Sequence, residues 1–148
     1  MNAADDAWLL MTSLVFAERQ SLTQAAAELG LTGLQAQALV LLDPAAPAPA
    51  MQDLAEWLAC EPSNLTHLVN RLQSLGYVER VPHPTNRRMK TLRLTTEGVK
   101  ARSRALLPLL TAPAALRALP REDQEALRGI LSRIHTVPRG LRPPADTG

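Results

Sequence analysis

Residues 51–96 decide the fold, and their sequence is MQDLAEWLAC EPSNLTHLVN RLQSLGYVER VPHPTNRRMK TLRLTT. The stretch predicts two short helices, then a strand, an arginine-bearing turn and a second strand. The first helix is expected over 51–59. The second begins at Pro62, since proline is favoured at the first helical position, and ends near Gly76. Because only a tight turn fits between them, the two helices are expected to form a helix-turn-helix.

The second of these helices has two unlike faces. Its apolar stripe consists of Leu65, Leu68, Val69, Leu72 and Leu75, and its polar face shows Ser63, Asn64, Thr66, His67, Asn70 and Arg71. The polar face has hydrogen-bonding groups but no carboxylate, as a helix that enters a DNA major groove requires. Some of these side chains can instead cap or solvate the helix, Ser63 among them. Arg71 can equally reach a phosphate or support the helix internally.

A basic hairpin is predicted after the second helix. Residues 77–81 have strand composition, 82–86 have turn chemistry and 89–94 alternate as a second strand. Its candidate DNA contacts are Arg87, Arg88 and Lys90, because a hairpin tip has little structural need for cations. Arginine suits a narrow minor groove, where the negative potential is enhanced.

Charge is unevenly distributed along the 148 residues, although the net charge is only +2. Residues 1–60 have a net charge of −6, residues 61–104 of +6, and the remainder of +2. The basic block coincides with the helix-turn-helix and the hairpin, which is the footprint expected for phosphate binding. The alternative is a solvated basic face.

Helices are expected on both sides of this region. They are predicted over about 5–29, 32–42, 95–110 and 120–135, and Pro108 is expected to kink or shorten the third of them. A stiff connector with three prolines is predicted over 43–50, and a disordered tail is predicted from Pro138. The first helix and the last two have apolar stripes that need a partner surface, and a symmetric dimer is the commonest way to supply one. The alternative is that they pack on their own chain. The predicted organisation is an N-terminal dimerisation helix over 1–30, a DNA-binding domain over 31–96, C-terminal dimerisation helices over 97–136 and a tail over 137–148.

Other classes of protein find little support. The lone Cys60 cannot form an internal disulfide and is expected to be a small buried residue, and its spacing from His67 and His83 matches no standard metal motif. The apolar run from Trp8 follows two aspartates, unlike a signal peptide, so a cytoplasmic protein is expected. No glycine-rich phosphate loop, catalytic carboxylate pair or nucleophile motif indicates an enzyme, and no cofactor or metal is expected.

Five segments together resemble the MarR family of winged helix-turn-helix regulators. They are Leu54-Ala-Glu56, residues 62–72, residues 75–80, Asn86-Arg-Arg88 and residues 92–98. The resemblance implies a mainly α (α+β) fold and a homodimer that places two recognition helices in adjacent major grooves and each wing tip toward a minor groove. It also implies a repressor released from its operator by small, often aromatic, ligands or by oxidation. Trp57 could line such a ligand pocket, although a core role is the stronger expectation.

One residue departs from the family pattern. The family wing usually begins with an aspartate, which pairs with the wing arginine, where this chain has Asn86. Asparagine accepts a hydrogen bond without contributing charge, so the sequence predicts a looser wing with Arg87 and Arg88 freer to bind phosphate. Arg88 ranks first among the wing contacts by its resemblance to the family's wing arginine.

The alternative function is a winged-helix protein-interaction module without operator specificity.

Overall fold

The computed structural model describes residues 2–137, which form mainly helices and one two-stranded hairpin. In chain order the elements are α1 (Ala3–Glu28), α2 (Gly33–Leu41), α3 (Met51–Trp57), α4 (Pro62–Ser74), β1 (Val78–Pro82), β2 (Lys90–Leu94), α5 (Thr96–Leu110), α6 (Ala114–Arg117) and α7 (Arg121–Ile134). The predicted fold class is therefore confirmed. The tail predicted from Pro138 lies outside the described residues. None of the helices within 2–137 combines the length and apolar character needed to cross a membrane.

Several helix starts are set by local hydrogen bonds that the sequence predicts. The Thr32 hydroxyl oxygen accepts from the backbone N–H of Gln35, whose side-chain oxygen accepts from the backbone N–H of Thr32 at 2.9 Å. This reciprocal capping box starts α2. Thr95 caps α5 by a single bond, in which its hydroxyl oxygen accepts from the backbone N–H of Gly98. Asn2 caps α1, so this helix begins earlier than the predicted position near residue 5.

Two glycines end α1 and α4 by adopting left-handed backbone conformations. Gly30 has φ of 73° and Gly76 has φ of 76°. The next residue in each case bonds back into the helix, from the backbone N–H of Leu31 to the carbonyl of Ala26 and from that of Tyr77 to Leu72. Because a side chain is strained at such φ values, glycine is the natural residue at both positions.

The core lies between α2, α3, α4, the hairpin and α5. Its largest fully buried side chains include Leu39, Leu54, Leu65, Leu72 and Leu92. The apolar stripe of α4 faces this core, with Leu75 partly buried at its end. Leucine, valine and alanine thus form the core, since the chain has few aromatic residues.

The wing hairpin has an additional edge contact that the sequence did not predict. β1 and β2 are antiparallel, with Val78 opposite Leu94 and Pro82 opposite Lys90. The end of the proline-rich connector pairs beside β2, where the backbone N–H of Leu92 donates to the carbonyl of Pro49 at 2.9 Å. Proline lacks an N–H but keeps its carbonyl acceptor, so a proline segment can still bind a strand edge.

Helix α5 joins the hairpin to α2 through two close contacts. A Cβ atom at Gly98 would lie 1.8 Å from the carbonyl oxygen of Tyr77, so only glycine allows the first turn of α5 to approach this backbone. One turn later the buried guanidinium of Arg102 donates from Nε to the carbonyl of Val40 at 3.1 Å. Desolvation lowers the pKa of Arg102, and the nearby carboxylate of Asp43 opposes this shift.

Candidate nucleic-acid interface

The turn between α3 and α4 has the tight geometry of a helix-turn-helix. Helix α3 ends at Trp57, two residues earlier than predicted, and Ala59 takes a left-handed conformation with φ of 48°. The backbone N–H of Cys60 then bonds back to the carbonyl of Ala55 at 3.1 Å. This closure turns the chain so that Pro62 can begin α4 directly.

The side chains predicted to form the polar face of α4 all lie on its exposed surface. Ser63, Asn64, Thr66, His67, Asn70 and Arg71 are exposed, opposite the buried leucines and Val69. At about 100° of rotation per residue, Ser63, His67 and Asn70 point most directly away from the core. Asn64 and Arg71 share the flank nearer the α1–α2 turn, and Thr66 lies on the other flank. One helix therefore presents six polar side chains to solvent.

These side chains differ in how far their hydrogen-bonding groups are already used. Within residues 2–137, Ser63, Asn64 and His67 make no side-chain hydrogen bond. The Thr66 hydroxyl donates to the carbonyl of Pro62 at 3.0 Å, so its oxygen remains an acceptor. Arg71 donates from Nη2 to the carbonyl of Gly30 at 3.2 Å. The sequence leaves two roles open for Arg71, contact with a phosphate and internal support of the helix. This hydrogen bond corresponds to internal support.

Arg80 is a functional candidate that the sequence analysis did not select. From β1 it donates from Nη2 to Oδ1 of Asn70 at 2.7 Å, and from Nη1 to Oε1 of Gln73. It thereby connects the wing to the exposed surface of α4. Asn70 and Arg80 are ten residues apart and lie on either side of a turn, so no sequence periodicity indicates their contact. Only the three-dimensional structure reveals it.

The wing tip is ordered by side chains that bond to its own backbone. His83 accepts through Nδ1 from the backbone N–H groups of Thr85 and Asn86, at 3.2 Å each. The Asn86 side-chain oxygen accepts from the backbone N–H of Arg88, also at 3.2 Å. Asn86 therefore shapes the turn by a neutral hydrogen bond to the backbone, and it leaves the arginine side chains outside this network.

Positive charge on the wing is concentrated at its tip. Arg87, Arg88 and Lys90 are exposed, and none forms an ion pair with another residue in the range 2–137. Farther along the hairpin, Arg93 pairs with Glu79 directly across the strands, with Nη2 and Oε1 2.7 Å apart. The unpaired cations therefore lie at the end of the hairpin, where they can reach an external anion.

Two sequence expectations near this surface are corrected by the structure. Trp57 is 54% exposed, so the expectation of a core role is wrong, although the nearby Leu54 and Leu58 are buried. Cys60 is half-buried rather than buried, in a groove between α3 and the start of α4.

In the described part of the chain, no three histidine, cysteine or acidic side chains are grouped closely enough to hold a metal ion.

Comparison with known proteins gives a family match over part of the chain and several solved structures with the same fold. Residues 29–89 match the MarR family. No curated protein sequence matches the chain. Among solved structures, apo MarR from E. coli is 20% identical and aligns with a TM-score of 0.73, covering 92% of this chain and 98% of the MarR chain.

Two further structures have the same fold with a ligand bound. A point mutant of MepR from S. aureus, bound to an oligodeoxyribonucleotide, is 18% identical with a TM-score of 0.64, covering 86% of this chain and 94% of that one. CouR from Rhodococcus jostii, bound to p-coumaroyl-CoA, is 24% identical with a TM-score of 0.66, covering 93% of this chain and 99% of that one. The family match spans the helix-turn-helix and most of the wing, and the solved structures share the winged helix-turn-helix fold of this chain.

Proposed function

We propose that this protein is a sequence-specific transcriptional repressor that binds palindromic operator DNA as a homodimer in the cytoplasm. One observation supports this most strongly: the carboxylate-free exposed face of α4 lies beside a hairpin whose tip has three cations without an ion pair within residues 2–137. A major groove accepts a helix of this polarity, and the phosphates beside it attract the cations.

The proposed DNA contacts divide between the helix and the wing. Ser63, Asn64, Thr66, His67 and Asn70 contact the major groove, while Arg87, Arg88 and Lys90 contact phosphates or the minor groove. Arg71 lies at the edge of this surface and holds α4 against the α1–α2 turn. Arginine and lysine at the wing supply affinity that depends on salt, whereas the polar side chains of α4 supply base discrimination.

The homodimer is proposed from the exposed apolar surface of the terminal helices. Trp8 and Phe16 on α1 are 66% and 71% exposed, and Ile134 on α7 is 68% exposed. Residues of α7 are nowhere buried against the rest of the described chain. A second copy would cover these surfaces and would place two recognition helices at the spacing of a palindromic site.

A small aromatic acid is proposed as the effector that releases DNA. A groove of about 340 Å³ between α1 and α5 is lined by Gln24 and Glu28 on one side and by Arg104 and Leu107 on the other. The guanidinium of Arg104 can bind a carboxylate, and the side chain of Leu107 can pack against an aromatic ring. The proposal is supported by CouR, a structure of the same fold that was solved bound to p-coumaroyl-CoA.

A salt series tests the proposed function. Binding is measured to DNA upstream of the protein's own gene and to scrambled DNA of equal length, at several salt concentrations, with and without a panel of aromatic acids. A regulator retains preference of about a thousandfold for its operator at physiological salt. Equal binding to both DNAs, or binding at low salt alone, would instead favour a protein-interaction module that retains the winged fold.

A further inference from the structure

We propose that Arg80 fixes the amide of Asn70 so that Asn70 reads a base edge rich in acceptors, with guanine preferred. This rests on the proposed function, since it specifies what one residue of the recognition helix reads. It assigns Arg80 as a positioning residue and Asn70 as a specificity-determining one.

The orientation of the Asn70 amide follows from the chemistry of its neighbour. A guanidinium has only N–H donors, so the group of Asn70 that lies 2.7 Å from Nη2 of Arg80 must be the carbonyl oxygen. The amide nitrogen is then the group that does not face Arg80, on a side chain that is exposed to solvent. Gln73 is held in the same manner through Oε1, so two amides on this helix accept from one cation.

The positive charge of Arg80 keeps the amide in this orientation. Rotating the Asn70 amide would place its NH₂ group against the guanidinium, and a charge-assisted hydrogen bond would be lost. The neighbouring carboxylate of Glu79 is paired with Arg93 on β2 and lies on the opposite side of β1, since successive strand residues alternate in direction. Arg80 therefore has amide oxygens as its partners among the described residues, and its charge stays available to a phosphate.

The fixed amide changes which base Asn70 can recognise. Free asparagine bonds adenine bidentately, with its NH₂ donating to N7 and its oxygen accepting from the N6 amino group. At Asn70 that oxygen is turned toward Arg80, so the N–H donors are the groups left to meet a base. Guanine presents two adjacent acceptors, N7 and O6, whereas adenine presents one acceptor beside a donor. Guanine is therefore the preferred base at the position that Asn70 contacts.

Selection of binding sites from random DNA tests this assignment. The wild-type protein is compared with Asn70→Ala, Asn70→Asp, Arg80→Ala and Arg93→Ala, each first checked for folding by circular dichroism. The wild type should select guanine at one position in each half-site, with a loss of about tenfold when adenine replaces it. Asn70→Ala should remove the preference at that position alone.

The remaining variants distinguish the effect of the Asn70 amide orientation from the effect of the positive charge of Arg80. Arg80→Ala frees the amide, so adenine should become preferred at the same position. Arg93→Ala removes an equal charge from the next strand and should leave guanine preferred. Asn70→Asp keeps the shape but presents an acceptor, so the preference should move to cytosine, whose N4 amino group is a donor.

Four results would overturn the proposal. Adenine selected by the wild type at the Asn70 position would show that the amide is not fixed, and so would an Arg80→Ala pattern identical to that of Arg93→Ala. An Asn70→Ala pattern unchanged at every position would remove Asn70 from base recognition while leaving operator binding intact. A wild-type protein that selects no sequence would overturn the proposed function itself, and this inference with it.

Discussion

The winged region over 29–98 and the terminal helices differ in how far their apolar side chains are buried by their own chain. The winged region encloses fully buried leucines, and Gly98 allows its last residues to pack closely on the Tyr77 backbone. In contrast, the 26 residues of α1 contain a single buried residue, Ala26, and α7 contains none. The first region is stabilised by its own chain, whereas the second exposes apolar surface, which a second copy covers in the proposed dimer.

The largest expected effect comes from placing a charge on the terminal surface. Phe16→Glu would bring a carboxylate into each half of the proposed dimer interface, where desolvation costs several kcal/mol per ion. We expect dissociation to monomers at micromolar concentration and a loss of operator affinity on the order of a thousandfold. Sedimentation velocity and a DNA-binding titration measure both.

The control adds the same charge to an exposed loop of the winged region. Ala45→Glu lies in the connector between α2 and α3 and should leave the dimer intact. A wild-type protein that sediments as a monomer, or a Phe16→Glu variant that remains dimeric, would remove the proposed role of α1.

Two glycines test the same contrast through stability. Gly98→Ala forces a methyl group into the Tyr77 carbonyl, so the free energy of unfolding should fall by about 3 kcal/mol. Gly129→Ala in α7 meets nothing within 4 Å and should increase helix stability by about 1 kcal/mol. Urea denaturation measures both, and equal effects would contradict the difference in packing between the two regions.

The buried arginine of α5 provides an intermediate effect. Arg102→Met leaves the Val40 carbonyl without its 3.1 Å donor, and the free energy of unfolding should fall by about 2 kcal/mol. The matched variant is Arg104→Met, two residues later and exposed, which should change stability by less than about 0.5 kcal/mol. If both variants unfolded at the same urea concentration, the connection between α5 and α2 would be energetically unimportant.

The smallest expected effect concerns one wing contact. Arg88→Ala should weaken operator binding about tenfold and reduce the slope of log affinity against log salt by about one, if Arg88 contacts a phosphate. Arg117→Ala, which removes an exposed arginine from α6, should change neither. An unchanged slope for Arg88→Ala would exclude the phosphate contact.

Local signals made most of the fold predictable. Thr32, Pro62 and Thr95 start helices because their side chains or ring suit a first turn, and Gly30 and Gly76 end helices because they tolerate positive φ. These are interactions over a few residues, so the sequence displays them directly.

Contacts between distant residues were not predictable in this way. Arg80 meets Asn70 across a turn, and Arg102 reaches Val40 over 62 positions. Neither contact leaves a periodic pattern. Trp57 was misassigned because its residue type indicates burial, while its direction depends on how α3 packs. The polar face of α4 and the basic wing tip were predictable because they lie on exposed surfaces with simple periodicity, although the Asn70 amide orientation was not.

In the proposed complex, two copies of α4 and its wing read one palindromic site. Hydroxyl-radical footprinting of the protein on DNA selected from a random pool measures this arrangement. We expect two symmetric protected patches whose centres are about 10 base pairs apart, or a multiple of that spacing, with two chains bound per duplex. One protected patch bound by a single chain, or protection that does not depend on sequence, would exclude such a complex.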